Sequence, residues 1–155
     1  MNLEKAVLTY SDMLYKICIV MLCNEQDAQD AIQETFCRYL EKNPHFTDAE
    51  HEKAWLIKVA ANHCKDLLRF QSRHPQVPIE ELTESLADGQ EQQDVLNELL
   101  QLPAKQRTVI YLYYVEGYQI KEIAGMLGIS AHAVKKRMQR GRQQLQIVLK
   151  EEYCR

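Results

Sequence analysis

The stretch IKEIAGMLGISAHAVKKRMQRGRQQL, Ile120 to Leu145, limits what the chain can fold into more than any other. Ile120, Ile123, Ala124 and Leu127 stand at offsets 0, 3, 4 and 7, one face of a short helix. Gly128 permits a tight turn, Ile129 can plug the space between two helices, and Ser130 is a good N-cap for the second. Beyond it Val134, Met138, Gly141, Leu145 and Val148 recur at steps of 4, 3, 4 and 3. That spacing leaves Lys135, Lys136, Gln139 and Arg140 on the opposite face, with Arg137 and Arg142 flanking them. Two helices joined this tightly, the second one basic, form a helix-turn-helix whose second helix can enter a major groove. Lys and Arg donate to guanine O6 and N7, Gln pairs with adenine, and the remaining cations neutralise phosphates. A basic face that merely meets water would account for the charges, but not for the capped two-helix unit.

The formal net charge of −3 conceals a segregation. From His74 to Ala104 there are seven acids (Glu80, Glu81, Glu84, Asp88, Glu91, Asp94, Glu98) and no Lys or Arg. From Ile123 to Lys150 there are six bases (Lys135, Lys136, Arg137, Arg140, Arg142, Lys150) and no acid. One end is therefore suited to a polyanion, and the middle is acidic.

Helical rather than alternating periodicity runs through the rest. Leu3 to Leu22 places Val7, Leu8, Leu14, Tyr15, Cys18, Ile19 and Leu22 at helical intervals. Asp27 can cap a helix running to about Lys42, with Ile32, Phe36, Tyr39 and Leu40 inward, and Asn43-Pro44 ends it. A polar loop, Asn43 to Lys53, leads to a helix expected over Ala54 to about Phe70. Two prolines, a glycine and the acidic run then mark a linker, with room for a helical turn near Ile79 to Leu86. Helicity resumes near Asp94; Pro103 suits a first helical turn and Gly117 a helix stop. The expected fold is all-α: two small helical domains, residues 1–71 and 93–155, joined by an acidic linker over 72–92.

LPAKQRTVIYLYYVEGYQIKEIAGMLGISAHAVKKRMQRGRQQL, Leu102 to Leu145, resembles the promoter-binding C-terminal domain of extracytoplasmic-function (ECF) RNA polymerase sigma factors. The resemblance implies that Lys135, Lys136, Gln139 and Arg140 face the groove of the upstream promoter element. One departure is Gln119, where the family usually has a Ser or Thr cap; Glu122 can still serve as the acid of the first turn.

DAQDAIQETFCRYL, Asp27 to Leu40, resembles the family's polymerase-binding helix. By that resemblance Asp30, Gln33 and Glu34 dock on the β′ clamp of core RNA polymerase, and the C-terminal domain meets the β flap. AWLIKVAANHCKDLLRF, Ala54 to Phe70, resembles the helix at the downstream element, with Lys58, Asn62, Lys65 or Asp66, and Arg69 in a polar stripe. Promoter opening requires a base to leave the stack. The resemblance implies that the loop after Asn43 captures it, with Phe46 and Asn62 lining the pocket. His45, Thr47, Asp48 and Glu50 are candidates for setting base preference. An anti-sigma factor is the further partner the family implies. A free-standing helix-turn-helix repressor or activator is the alternative; it would have no need of the Asp30, Gln33, Glu34 surface or the Phe46–Asn62 loop.

Other function classes find little support. There is no GxxxxGK[ST], GxGxxG or GxSxG motif, and HEKAW at His51 lacks the second histidine of a zinc protease, so the chain is not expected to be an enzyme. His45, His51, His63, His74 and His132 show no ligand spacing, and the five cysteines contain no CxxC pair; no metal or cofactor is expected. The cysteines read as small buried or half-buried thiols, and Tyr111, Tyr113, Tyr114 and Tyr118 as core-edge residues. No apolar run reaches membrane-spanning length, and MNLEKAVLTYSD lacks the pattern of a signal peptide, so a cytoplasmic location is expected.

Overall fold

Short polar caps set the helix boundaries in the computed structural model, which describes residues 2–71 and 90–145. The chain divides into two units, Met1–Pro75 and Gln76–Arg155. In the first, α1 (Leu3–Leu22) begins where Asn2 Oδ1 accepts from the Lys5 N–H at 3.1 Å. It stops at Cys23, whose φ of 52° turns the chain while its N–H returns to Ile19 O at 2.7 Å. Helix α2 (Glu25–Lys42) is capped by Asn24, not Asp27: the Asn24 Oδ1 accepts from the Asp27 N–H at 3.0 Å. Asp27 lies one turn in, where its charge suits the positive helix end. Asn43, at φ 46°, closes α2.

Helix α3 (Ala49–Gln71) starts five residues before the expected Ala54. The cause is Asp48, whose Oδ1 accepts from the His51 N–H at 2.8 Å. The expected loop to Lys53 therefore shrinks to residues 43–48.

These three helices pack on one another around Leu14, Ile17 and Cys18 from α1, Ala28, Ala31, Phe36 and Tyr39 from α2, and Leu56, Ile57, Ala60 and Cys64 from α3. Leu40, expected to face inward, is 66% exposed, and Leu8, one of the periodic apolar residues of α1, is 87% exposed. In α2 the inward arc is carried by the small residues Ala28, Ala31 and Thr35 with Tyr39. That choice brings the helices close and turns Leu40 to the outside.

The second unit holds α4 (Gln90–Leu100), α5 (Ala104–Ile110), α6 (Ile120–Leu127) and α7 (Ala131–Gln144). Pro103 occupies the N-cap of α5 rather than its first turn. A π-helical segment, Tyr111–Val115, continues α5, with the Glu116 N–H reaching back to Tyr111 O at 3.1 Å. Gly117, at φ 79°, then breaks the helix as expected. The buried Arg107 donates from Nη1 to Leu102 O at 2.8 Å, so its charge closes the α4–α5 corner. Helix α5 lies against α7 at Gly141, where an added Cβ would overlap Ile110 Cδ1 and stand 3.3 Å from Gln106 Cβ. Tyr111, Tyr114 and Tyr118 are buried and Tyr113 half-buried, as expected of core-edge tyrosines. Most of the acidic linker, the turn expected near Ile79 to Leu86, Val148 and Lys150 lie outside the described residues.

Candidate nucleic-acid interface

The helix-turn-helix is held by both caps and core. Ser130 Oγ accepts from the Ala133 N–H at 3.0 Å, and Gly128 turns the chain at φ 67°. Gln119 starts α6 with the help of Glu122, whose Oε1 accepts the Gln119 N–H at 2.9 Å. Ile123, Leu127, Val134 and Met138 are buried and lock the two helices together.

On the outer face of α7, Lys135, Lys136, Gln139 and Arg140 are all exposed. Arg137 is half-buried, and that burial lowers its guanidinium from the ordinary value. Arg142 is differently employed. Its Nε donates to the Tyr114 hydroxyl at 2.6 Å, and its guanidinium carbon lies 5.4 Å from the centre of the Tyr114 ring. Arg142 thus braces α7 against the π-helical segment.

In the first unit Asp30 and Gln33 are exposed on α2, and Glu34 is half-buried beside them. Gln26 Nε2 donates to Asp30 Oδ1 at 3.4 Å, and Glu34 Oε1 accepts from Arg38 Nε at 3.2 Å. Gln26, Asp30, Gln33, Cys37 and Leu40 fall at offsets 0, 4, 7, 11 and 14, so the exposed Leu40 and Cys37 prolong the same stripe.

On α3, Lys58, Asn62 and Arg69 are exposed and Lys65 is half-buried. Arg69 pairs with Asp66 at 3.6 Å. A cleft of about 320 Å³ opens between α2 and α3, lined by Arg38, Lys42, Trp55, Val59, Asn62, His63 and Asp66. Asn62 borders this cleft; Phe46 stands apart from its lining and belongs to an aromatic cluster. Its ring centre lies 6.0 Å from Tyr39, 5.9 Å from Trp55 and 5.2 Å from His51. Trp55 belongs to both the cluster and the cleft.

Arg38, Lys42 and His63 were not foreseen from sequence. Arg38 and Lys42 line one cleft with Asn62 only because of how α2 packs against α3, which no local spacing encodes. Of the loop candidates, Asp48 is occupied in capping α3, while His45 and Thr47 are exposed. Among the described residues no cluster of three or more His, Cys, Asp or Glu could hold a metal ion. No described helix is long and apolar enough to cross a membrane. Cys18, Cys23 and Cys64 are buried and Cys37 is exposed.

A helix-turn-helix with a cationic outer helix, in a chain whose other unit carries a polar cleft and an exposed polar stripe, is the arrangement of a DNA-binding transcription protein. Residues 6–74 match Sigma-70 region 2, and residues 92–145 match Sigma-70, region 4. The ECF RNA polymerase sigma factor SigW of Bacillus subtilis is 31% identical over 160 residues, spanning 92% of this chain and 86% of SigW. The chain belongs to the ECF RNA polymerase sigma factors. Its fold is similar to that of the sigma factor RpoE in complex with the anti-sigma factor NepR from Bartonella quintana. That likeness has a TM-score of 0.71 at 22% identity, over 96% of this chain and 97% of that one. CnrH, solved in complex with the cytosolic domain of CnrY, gives a TM-score of 0.64 at 26% identity, over 97% and 88%.

Proposed function

We propose that this alternative sigma factor binds core RNA polymerase through the α2 stripe and reads promoters with two separate faces. Asp30, Gln33 and Glu34 dock on the β′ clamp, and the C-terminal unit meets the β flap. Lys135, Lys136, Gln139 and Arg140 read the upstream element, with Arg137 at the margin and Arg142 holding the helix in place. Lys58, Asn62, Lys65 and Arg69 meet the downstream element, where Phe46 and Asn62 receive an unstacked base. Of the loop residues, His45 and Thr47 are best placed to tune which base is accepted.

The exposed cationic face of α7 is the observation that carries this reading. It is small, and the chain as a whole carries a net charge of −3, so the free protein holds duplex DNA weakly. Affinity arises when polymerase holds both readers over one promoter, an effective-concentration effect. The polymerase supplies the catalysis and this chain supplies binding and base capture, in the cytoplasm. The anti-sigma complexes of the two structural neighbours support an anti-sigma partner that covers polymerase-facing surface.

The test is runoff transcription by purified core polymerase on genomic promoter fragments, with and without the protein. Transcripts that appear only with the protein, from a few related promoters, are the expected result. Tight duplex binding by the protein alone, without such transcripts, would instead indicate a repressor.

A further inference from the structure

The six-residue loop 43–48 is stapled at its stem by a hydrogen bond between side chains from the two helices that flank it. Tyr39, in the last turn of α2, donates its hydroxyl to Glu52 Oε2, in the first turn of α3, at 2.6 Å. Tyr39 is buried, at 2% exposure. Burial first, and then the Glu52 carboxylate, raise its hydroxyl well above the ordinary tyrosine value, so it stays a donor throughout the physiological range. The same Tyr39 ring is one wall of the cluster holding Phe46, 6.0 Å away, and it meets Trp55 edge-on at 5.9 Å. The Thr47 N–H donates to His51 Nδ1 at 3.2 Å, and His51 in turn stands edge-on to Phe46. A third helix joins this stem, because the Tyr10 hydroxyl of α1 donates to Ala49 O at 3.5 Å.

A base can be held only by groups that are themselves fixed to within a fraction of an ångström. Loop 43–48 contains no regular structure, so Phe46 takes its position from what surrounds it. We infer that Tyr39 and Glu52 are positioning residues for downstream-element reading: their hydrogen bond sets the stem of the loop and thereby the place of Phe46. Neither side chain touches DNA in this account. Tyr39 is buried, and Glu52, as an anion, would repel a phosphate. The inference rests on the proposed capture of an unstacked base by this loop.

The experiment uses holoenzyme assembled from core polymerase and the full chain, with a promoter selected by the wild-type protein from a randomised library. Discrimination is the yield of open complex on that promoter relative to single-base substitutions in each element. Tyr39→Phe keeps the ring and removes the donor, so Glu52 loses its bond to α2 while the Tyr10 hydroxyl of α1 remains near it. The variant should lower discrimination at one downstream position about fivefold, less than the full loss of a hydrogen bond to a charged group because the effect is transmitted only through the position of Phe46. Glu52→Gln keeps an acceptor oxygen and should lose less. Discrimination within the upstream element and affinity for core polymerase should not change with either variant. A protein weakened only in folding would lose yield on all promoters alike with its discrimination ratios intact, and that result would overturn the proposal. Phe46→Ala separates the two levels of the argument. Loss of discrimination in Phe46→Ala but not in Tyr39→Phe or Glu52→Gln leaves base capture standing and removes the positioning role. Full discrimination in Phe46→Ala removes base capture by this loop, and the inference with it.

Discussion

On α7 the side chains proposed to read the upstream element stand clear of the fold, whereas Phe46 and Asn62, proposed for the downstream element, border packed groups of α2 and α3. Lys135, Lys136, Gln139 and Arg140 project from one helix whose other face, Val134, Met138 and Gly141, does the packing. Around Asn62 the cleft draws on two helices, and Phe46 shares its cluster with Tyr39, His51 and Trp55. The difference fits the two proposed tasks. A duplex presents its edges ready-made, so a rigid helix with donors at i, i+1, i+4 and i+5 suffices. An unstacked base has to be enclosed, which requires walls from several segments held in register.

The comparison can be tested from both sides. The largest effect should come from Lys136→Ala combined with Arg140→Ala. Two lost groove contacts at about 1–3 kcal/mol each should lower use of an intact promoter roughly a hundredfold. Open-complex assays should show the loss vanishing on promoters whose upstream element is already destroyed. Equal loss on both templates would mean that α7 does not read that element.

Next in size is Gly141→Leu, which forces a side chain into the α5–α7 contact against Ile110 and Gln106. It should destabilise the C-terminal unit by about 2 kcal/mol, seen as a lower urea midpoint. The α1–α3 unit should keep its own transition, since nothing in its core is touched.

Asp30→Ala with Glu34→Ala should weaken core-polymerase binding about tenfold, while leaving the helical circular dichroism intact. Both side chains lie on the outer face of α2, so co-purification at undiminished yield would remove them from the docking surface.

The smallest effect is on pH dependence, and it belongs to the first unit. Tyr10, Tyr15 and Tyr39 are all raised above the ordinary value of 10.0, each chiefly by burial. The folded state therefore holds these protons more tightly than the unfolded chain. Their contribution to stability is complete below about pH 10 and is lost progressively as pH rises toward the folded-state values. Alkaline titration followed by circular dichroism should show the α1–α3 unit weakening above pH 10, with a shallower decline in Tyr39→Phe.

The same contrast explains what could be read from the sequence. The helix-turn-helix is a local object: Ile123, Leu127, Val134 and Met138 follow helical spacing, and Gly128 and Ser130 mark the turn and the cap. All of it was visible in one stretch of chain. The α3 start lies ahead of the expected Ala54 because Asp48, within a stretch that reads as polar loop, caps the helix, and α2 is capped by Asn24 rather than the expected Asp27; residue type alone does not choose among neighbouring capping candidates. Leu40 was expected inside because it is apolar at helical spacing. The small residues Ala28 and Ala31 decided otherwise by choosing which arc of α2 could approach its neighbours. The Tyr39–Glu52 bond spans 13 residues across a loop, and the shared cleft of Arg38, Lys42 and Asn62 depends on helix packing; neither has a periodic signature.

The central claim is that two separate faces of this chain read two separate promoter elements for one polymerase. It is tested most directly by selecting promoters from a randomised library with holoenzyme containing either the wild-type chain, Lys136→Ala with Arg140→Ala, or Phe46→Ala with Asn62→Ala. The account predicts two preferred elements with the wild type. The α7 variant should lose preference only in the upstream element, and the loop variant only in the downstream one. Loss of preference in both elements by either variant, or a single element bound by the wild type without polymerase, would contradict it.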